Sequence, residues 1–263
     1  MGQNNNNLDW DNEQEKIFKK EIKNFFDFRI NHYLEKSNNP LLVGDELANI
    51  LKSGDSEVVK IITPRAVKKW ASPQTISKWL EIIKNPVMLS ELRTIGKSIA
   101  NTMRPLAGNN FSLWVASILN SYFKQQKLPL EALTSGPIKI KIGKSLVIQT
   151  KENQGILDYR PDIDIVLVRT DKENYPVAII SAKTTLAERV MQTITWSRFL
   201  KNVPEYTKMK MFLVTAWDTF DSGTNIERVQ ELDGIYVCNK NVKESRKIKL
   251  FSKIGTDLKE FCS

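Results

Sequence analysis

The 263-residue chain has one histidine, two cysteines and no apolar run of membrane-spanning length, and each scarcity removes a class of explanation. His32 alone cannot supply a histidine pair within one chain, and its polar neighbours point to a surface position. Cys238 and Cys262 lack the spacing of a metal knuckle and fit a reducing compartment. A bilayer span needs about 20 consecutive apolar residues, and nothing here approaches that. The start, Met1 to Asn7, has neither the apolar core nor the basic leader of a signal peptide. Asn6 stands where a myristoylation signal needs Ser or Thr. A cytoplasmic location is expected. Gly96-Lys97-Ser98 and Gly143-Lys144-Ser145 each end like a phosphate-binding loop. The glycine such a loop needs five residues earlier is replaced by Glu91 and Ile138, so neither qualifies.

What the chain has in excess is positive charge. It carries 39 Lys and Arg against 30 Asp and Glu, a net +9, with a pI near 9.4. Such a balance favours polyanionic partners and fast, salt-sensitive association with them. A hydrophobic fraction of 41% is ordinary for a globule, and the length allows one large domain or two small ones.

The spacing predicts an asparagine-rich tail over 1–8 and an all-helical module over 9–105. Ile17, Ile22, Phe25, Phe26, Phe28, Ile30 and Tyr33 recur at helical intervals, and Ser37-Asn38-Asn39-Pro40 breaks that helix. Gly44-Asp45 opens a second helix through Leu51, with Asp45 as its cap. Thr63-Pro64 and Ser72-Pro73 open two more, and another spans 89–103. Arg65, Lys68, Lys69, Trp70, Lys78 and Trp79 form a basic, aromatic string that could touch DNA, although a supporting or dimerising module with a solvated lysine face explains it as well. A third region, 106–263, begins with a helix to about Lys127 that carries Phe111, Trp114, Val115, Ile118, Leu119 and Tyr122 on one stripe. Ile138, Ile140 and Ile142 alternate with lysines, and with Leu146, Val147 and Ile148 they predict one or two strands up to Thr150.

The centre of the chain is Tyr159 to Val190. Ile163 to Val168 and Val177 to Lys183 are apolar strand patterns joined by a polar turn, Arg169 to Tyr175, with Pro176 able to begin a strand. Along the first strand Asp162, Asp164, Val166 and Val168 share one face; along the second, Ser181 and Lys183 point the same way. Antiparallel pairing then brings Asp162 or Asp164 beside Lys183. A carboxylate and an ammonium at one open sheet end suit a hard cation and a phosphate. Magnesium prefers oxygen ligands, and a lysine can steady developing phosphorane charge or help deprotonate water. Each residue also has a purely structural reading: Asp162 as a turn cap after Pro161, Lys183 as a strand-end lysine, and Thr185-Leu-Ala-Glu188 as a capping box.

Pro161-Asp162, with Ser181-Ala182-Lys183 after the hairpin, resembles the PD-(D/E)xK nuclease signature, with a serine where the second acid usually stands. The continuation to Arg189, Ser-Ala-Lys-Thr-Thr-Leu-Ala-Glu-Arg, resembles type II restriction endonucleases, including members of the CCGG-recognising group. The motif covers about thirty residues, and the likeness extends more thinly from Pro105 to the C-terminus. The resemblance implies an α/β fold, a restriction-endonuclease-like mixed β-sheet flanked by helices, here preceded by the helical module. It implies a catalytic set of Asp162, Asp164, Ser181 and Lys183, with magnesium held by Asp162, the Ala182 carbonyl and a second acid. In the CCGG group a helix glutamate supplies that acid. Glu188 is the nearest candidate here, or else it reads bases as in some of those enzymes. Ala187 stands where their reading element has its first arginine. Ser112 stands where the helix before the hairpin often carries a glutamate.

The helix after the motif, from Thr185 to about Leu200, has an inward stripe of Leu186, Val190, Thr193, Ile194 and Ser197. Glu188, Gln192 and Thr195 lie on its other side, with Arg189 and Arg198 flanking. A glutamate accepts from the cytosine amino group and an arginine donates to guanine. Glu188, Arg189, Gln192 and Arg198 are therefore the expected DNA contacts. Met209 to Ala216 and Leu232 to Cys238 read as further strands, Trp217 to Glu227 as a DNA-facing or dimer loop, and the end of the chain as a short helix. The expected activity is magnesium-dependent cleavage of double-stranded DNA at a short specific sequence. A homodimer and a cognate DNA methyltransferase are the expected partners. The alternatives are a repair or junction-resolving nuclease of the same superfamily, and a non-catalytic DNA-binding protein on a decayed nuclease fold.

Overall fold

A computed structural model of the chain describes residues 12–57, 110–145, 148–152, 155–159, 163–184, 189–216, 231–245 and 247–262. The tail, the basic aromatic string, the helices expected between 63 and 103, and the loop at 217–227 lie outside these residues.

The chain divides into two compact units, one formed by Met1–Arg29 with Leu51–Ala107, the other by Ile30–Ile50 with Gly108–Ser263. The first helix, α1 (Asn12–Lys36), matches the predicted span. Beyond it Asn39, not Asp45, caps the next helix. Its side chain accepts the Leu41 N–H at 3.1 Å, and Pro40 takes the first position of α2 (Pro40–Asp45). The next helix is α3 (Leu47–Glu57). In the first unit Arg29 reaches Ser53 Oγ at 3.3 Å and Glu57 at 2.7 Å, and Phe26 packs on Gly54.

The second unit is built on a six-stranded sheet of order β1-β4-β5-β6-β7-β8. Its strands are β1 (Leu130–Leu133), β4 (Ile165–Arg169), β5 (Tyr175–Lys183), β6 (Lys210–Thr215), β7 (Gly234–Val237) and β8 (Ile248–Leu250). β1, β4 and β5 pair antiparallel, and β5 through β8 run parallel. A separate hairpin joins β2 (Ile148–Glu152) and β3 (Gly155–Tyr159). The central strands are near-continuous apolar runs because both faces are covered. Val166, Val168, Ile179, Met211, Leu213, Ile235 and Val237 line one face, in one cluster with Ile142 of α5 (Pro137–Ser145) and Ile194, Trp196 and Leu200 of α6 (Arg189–Asn202). The opposite parity, Ile165, Leu167, Ile180, Phe212, Val214 and Tyr236, is also buried. The helix over 110–126, α4, buries the predicted stripe from Phe111 to Tyr122.

Three local features differ from the sequence reading. Ile138, Ile140 and Ile142 form no strand; they lie in α5, with Pro137 at its first position. A strand would put all three on one face, but Ile142 is buried and Ile140 is 57% exposed, as helical spacing requires. β1 and β8 had no sequence signal of their own. β1 is an edge strand, and the Asn120 amide covers it: its Nδ2 donates to Ala132 O at 3.0 Å and its Oδ1 accepts from Ala132 N at 2.7 Å. One side chain thereby occupies both ladder groups of that residue.

The hairpin turn at 170–174 contains Glu173 and Asn174 with φ of 50° and 58°, the left-handed region that asparagine tolerates. Beyond it Val168 pairs with Pro176 and Leu167 with Ala178, so Val177 is the extra residue of a β-bulge. Proline, which cannot donate to a ladder, sits beside that irregularity.

Segment 30–50 is held to the C-terminal residues of its own unit. Ala48 N donates to Cys238 O at 2.9 Å, and Ser252 N to Asp45 Oδ1 at 2.7 Å. A Cβ on Gly44 would run into the Phe251 ring, which is fully buried. Gly44→Ala is expected to lower unfolding free energy by about 1–3 kcal/mol in urea titrations. Asp45 gives the opposite sign. Burial, against the Ser252 hydrogen bonds and with help from Glu46 and Glu244, raises its carboxyl above the ordinary 3.8. A raised acid contributes stability that is full below its unfolded-state pKa and is lost as pH rises through its folded value. Asp45→Asn keeps an acceptor for Ser252 and carries no charge. It is expected to unfold at a higher urea midpoint than wild type at pH 7, an advantage that disappears below the ordinary carboxylate range.

Candidate active site

The site lies where β4 begins and β5 ends. From Ile165 opposite Ile180, the antiparallel register runs toward Asp164 and Ser181. Alternation puts Asp164, Ser181 and Lys183 on the face that α6 covers. The structure brings Asp164, the second of the two expected aspartates, against the lysine. Lys183 Nζ is 2.9 Å from Asp164 Oδ2 and 3.1 Å from Oδ1, and the two side chains are 8% and 14% exposed. Asp164 Oδ2 also accepts the Ala182 backbone N–H at 2.8 Å and lies 3.4 Å from Ser181 Oγ. Ser181 in turn accepts a hydrogen bond from Thr193 Oγ1 of α6 at 3.2 Å, inside the protein.

A buried ion pair is stable only when its remaining donors and acceptors are satisfied, and this carboxylate has a main-chain and a hydroxyl donor beside its ammonium. In an extended strand a residue's N–H and C=O project to the same side, so the Ala182 carbonyl points to the β4 side, where its N–H meets Asp164. A carboxylate and a backbone carbonyl are oxygen donors and suit a hard divalent cation. Among the described residues no three His, Cys, Asp or Glu side chains converge. Asp162 and Glu188 lie outside the described residues, and so does any part they take.

Of the expected DNA contacts, Gln192 is exposed on α6, beside buried Thr193 and Ile194. Arg198 is also exposed and forms a two-pronged pair with Glu231, Nε to Oε2 at 2.6 Å and Nη2 to Oε1 at 2.5 Å. Hydrogen bonding to Arg198 holds the Glu231 carboxyl below its ordinary range. Arg189 opens α6. No carboxylate occurs anywhere on α6 from Arg189 to Asn202.

One residue at the site had gone unnoticed. Lys139 of α5 donates to Thr134 O at 2.9 Å and Asp164 O at 3.2 Å, joining β1 and β4 where their ladder ends. The strand pattern read over Ile138 to Ile142 gave Lys139 no role beyond alternating with the isoleucines. Pro137 followed by Ile138 and Ile142 four residues apart was the signal for a helix that would turn it inward.

Removing one partner of the Asp164–Lys183 pair leaves the other buried and unpaired. Asp164→Ala is expected to cost roughly 3 kcal/mol or more, whereas Asp164→Ala with Lys183→Met should return most of it. A double-mutant cycle by denaturant unfolding measures this, and simple additivity would refute a coupled pair.

Over residues 139–257 the sequence is similar to the family described as BsaWI restriction endonuclease type 2. Over 119 residues it is 30% identical to a Methanocaldococcus jannaschii protein named as the type II restriction enzyme MjaVIP, covering 41% of this chain and 53% of that one. The chain thus spans about half the length of this relative. Among solved structures it is similar to metal-depleted Ecl18kI in complex with uncleaved DNA, with a TM-score of 0.55 and 19% identity over 95% of this chain and 84% of that one. Ecl18kI with uncleaved, modified DNA gives a TM-score of 0.53, 18% identity and coverage of 95% and 83%. Mixed sheet, flanking helices and these similarities agree that the chain has the type II restriction endonuclease fold.

Proposed function

We propose that the protein is a magnesium-dependent type II restriction endonuclease that hydrolyses phosphodiester bonds of double-stranded DNA at a short specific sequence. The observation that carries this reading is the Asp164–Lys183 pair at the end of β5, on a fold shared with restriction enzymes. The net charge of +9 agrees with a polyanionic substrate.

In this reading Asp164 and the Ala182 carbonyl hold the metal, with Asp162 and Glu188 as the other oxygen donors the motif offers. When bound, the metal polarises the phosphoryl oxygens and lowers the pKa of its water. Lys183 faces the scissile phosphate, where its ammonium steadies charge on the non-bridging oxygens or orients the attacking water. Ser181, in the acidic slot, supports Asp164 rather than the metal. Glu188 and Arg189 read base edges; Gln192 and Arg198 contact bases or backbone, Arg198 by exchanging Glu231 for a phosphate. Cutting both strands calls for a homodimer, and protecting the host genome calls for a methyltransferase with the same specificity. The compartment is the cytoplasm.

Digestion of unmethylated phage DNA in excess magnesium tests this. Wild type is expected to give discrete bands, and Lys183→Ala and Asp164→Asn to cut at least about 100-fold more slowly. Asp162→Asn, run beside them, tells which aspartate the reaction needs. A smear in place of bands would move the reading to a superfamily nuclease without sequence specificity. Retained DNA binding with no cutting by wild type would move it to a binding protein.

A further inference from the structure

Two hydroxyl-bearing side chains are buried beneath the sheet end where apolar ones would pack more cheaply. Ser181 is 2% exposed and Thr193 3%. Thr193 donates to Ser181 Oγ at 3.2 Å, and Ser181 Oγ lies 3.4 Å from Asp164 Oδ2, further than Lys183 Nζ and the Ala182 N–H. A hydroxyl has one proton to give. With Thr193 donating into the Ser181 oxygen, the proton of Ser181 is directed to the carboxylate, and the series runs one way from α6 to Asp164. Ser197, one turn further along the same face of α6, is equally buried, yet its Oγ has no hydrogen-bond partner among the described residues. Helix and sheet therefore accept a buried hydroxyl at position 197 without using it, and use the one at position 193.

We propose that Thr193 is a positioning residue. Acting through Ser181, it fixes the orientation of the Asp164 carboxylate, and so ties the site to the helix whose outer face carries Gln192 and Arg198. The inference rests on the nuclease reading of this site. Groups that orient a metal-binding carboxylate alter metal affinity and rate by about 10- to 100-fold when removed. They leave DNA binding to the outer face of the helix alone.

The test compares wild type, Thr193→Val, Thr193→Ser and Ser197→Ala in four measurements. These are the single-turnover cleavage rate with magnesium, DNA affinity in EDTA, the thermal midpoint, and binding of Mn2+ alone followed by electron paramagnetic resonance. Thr193→Val keeps shape and loses the donor. It is expected to cut at least about tenfold more slowly and to bind Mn2+ more weakly by a similar factor. Its DNA affinity should stay within about twofold of wild type, because no donor to DNA is lost. Thr193→Ser should restore both cleavage and Mn2+ binding, and Ser197→Ala should match wild type in all four. Wild-type cleavage and Mn2+ binding by Thr193→Val would overturn the proposal. So would a Thr193→Ser variant as slow as Thr193→Val, or a loss of rate matched by an equal loss in Ser197→Ala. If wild type binds DNA and does not cut it, the nuclease reading itself falls, a result distinguishable from all of these.

Discussion

The site depends on one extra residue in β5. At the turn end of the hairpin Arg169 faces Tyr175 and Val168 faces Pro176. Continued unbroken, that register would set Asp164 opposite Ile180 and turn its carboxylate to the face away from Lys183. Val177 shifts the ladder by one, so that Asp164 meets Ser181 and shares a face with the lysine. A one-residue slip in a strand exchanges its faces entirely, so the bulge decides whether an ion pair can exist there at all. Proline at 176, which has no N–H to give the ladder, stands next to the bulged residue. The polar turn, the proline and the bulge therefore act together at one end of the hairpin to set the chemistry at the other.

Given that face, the serine at 181 has a physical reason. The position is buried beneath α6 and lies directly beside Asp164. Without a metal ion, a second carboxylate here would place two like charges around one ammonium in a place that solvent scarcely reaches, and one of them would be driven to take up a proton. A hydroxyl satisfies its neighbours while adding no charge. The same reasoning accounts for Lys139, whose ammonium rests on two backbone carbonyls, Thr134 O and Asp164 O. It gives a donor to both part-buried carbonyls where the β1–β4 ladder ends.

What could be read from the sequence follows the same division. The β4–β5 hairpin, the face shared by Asp164, Ser181 and Lys183, and the inward stripe of Thr193, Ile194 and Ser197 were all legible, because period-two and period-3.6 patterns speak directly about faces. That Asp164 meets Lys183 was legible only as one of two options, because Asp162 and Asp164 share a face and alternation does not rank them. Short edge elements escaped for a related reason. β1 is completed by the amide of Asn120 on another helix, and β8 by parallel pairing to β7. With four and three residues, neither strand is long enough to show a period of its own. The misreading of Ile138 to Ile142 shows a short apolar alternation satisfying both periods, with Pro137 and the exposure of Ile140 deciding for the helix.

α6 then joins two tasks that the sequence reading kept apart. Its inner face, through Thr193, reaches the carboxylate that pairs with Lys183; its outer face carries Gln192, Thr195 and Arg198 into solvent. The Arg198–Glu231 pair is solvent-exposed, and such pairs contribute little to stability, so a phosphate could take the place of Glu231 at small cost. The 3.2 Å contact from Thr193 to Ser181 is buried, and solvent does not reach it to be exchanged in that way. The packed core between α6 and the sheet, with Ile194, Trp196 and Leu200 against Leu213 and Ile235, holds that contact in place.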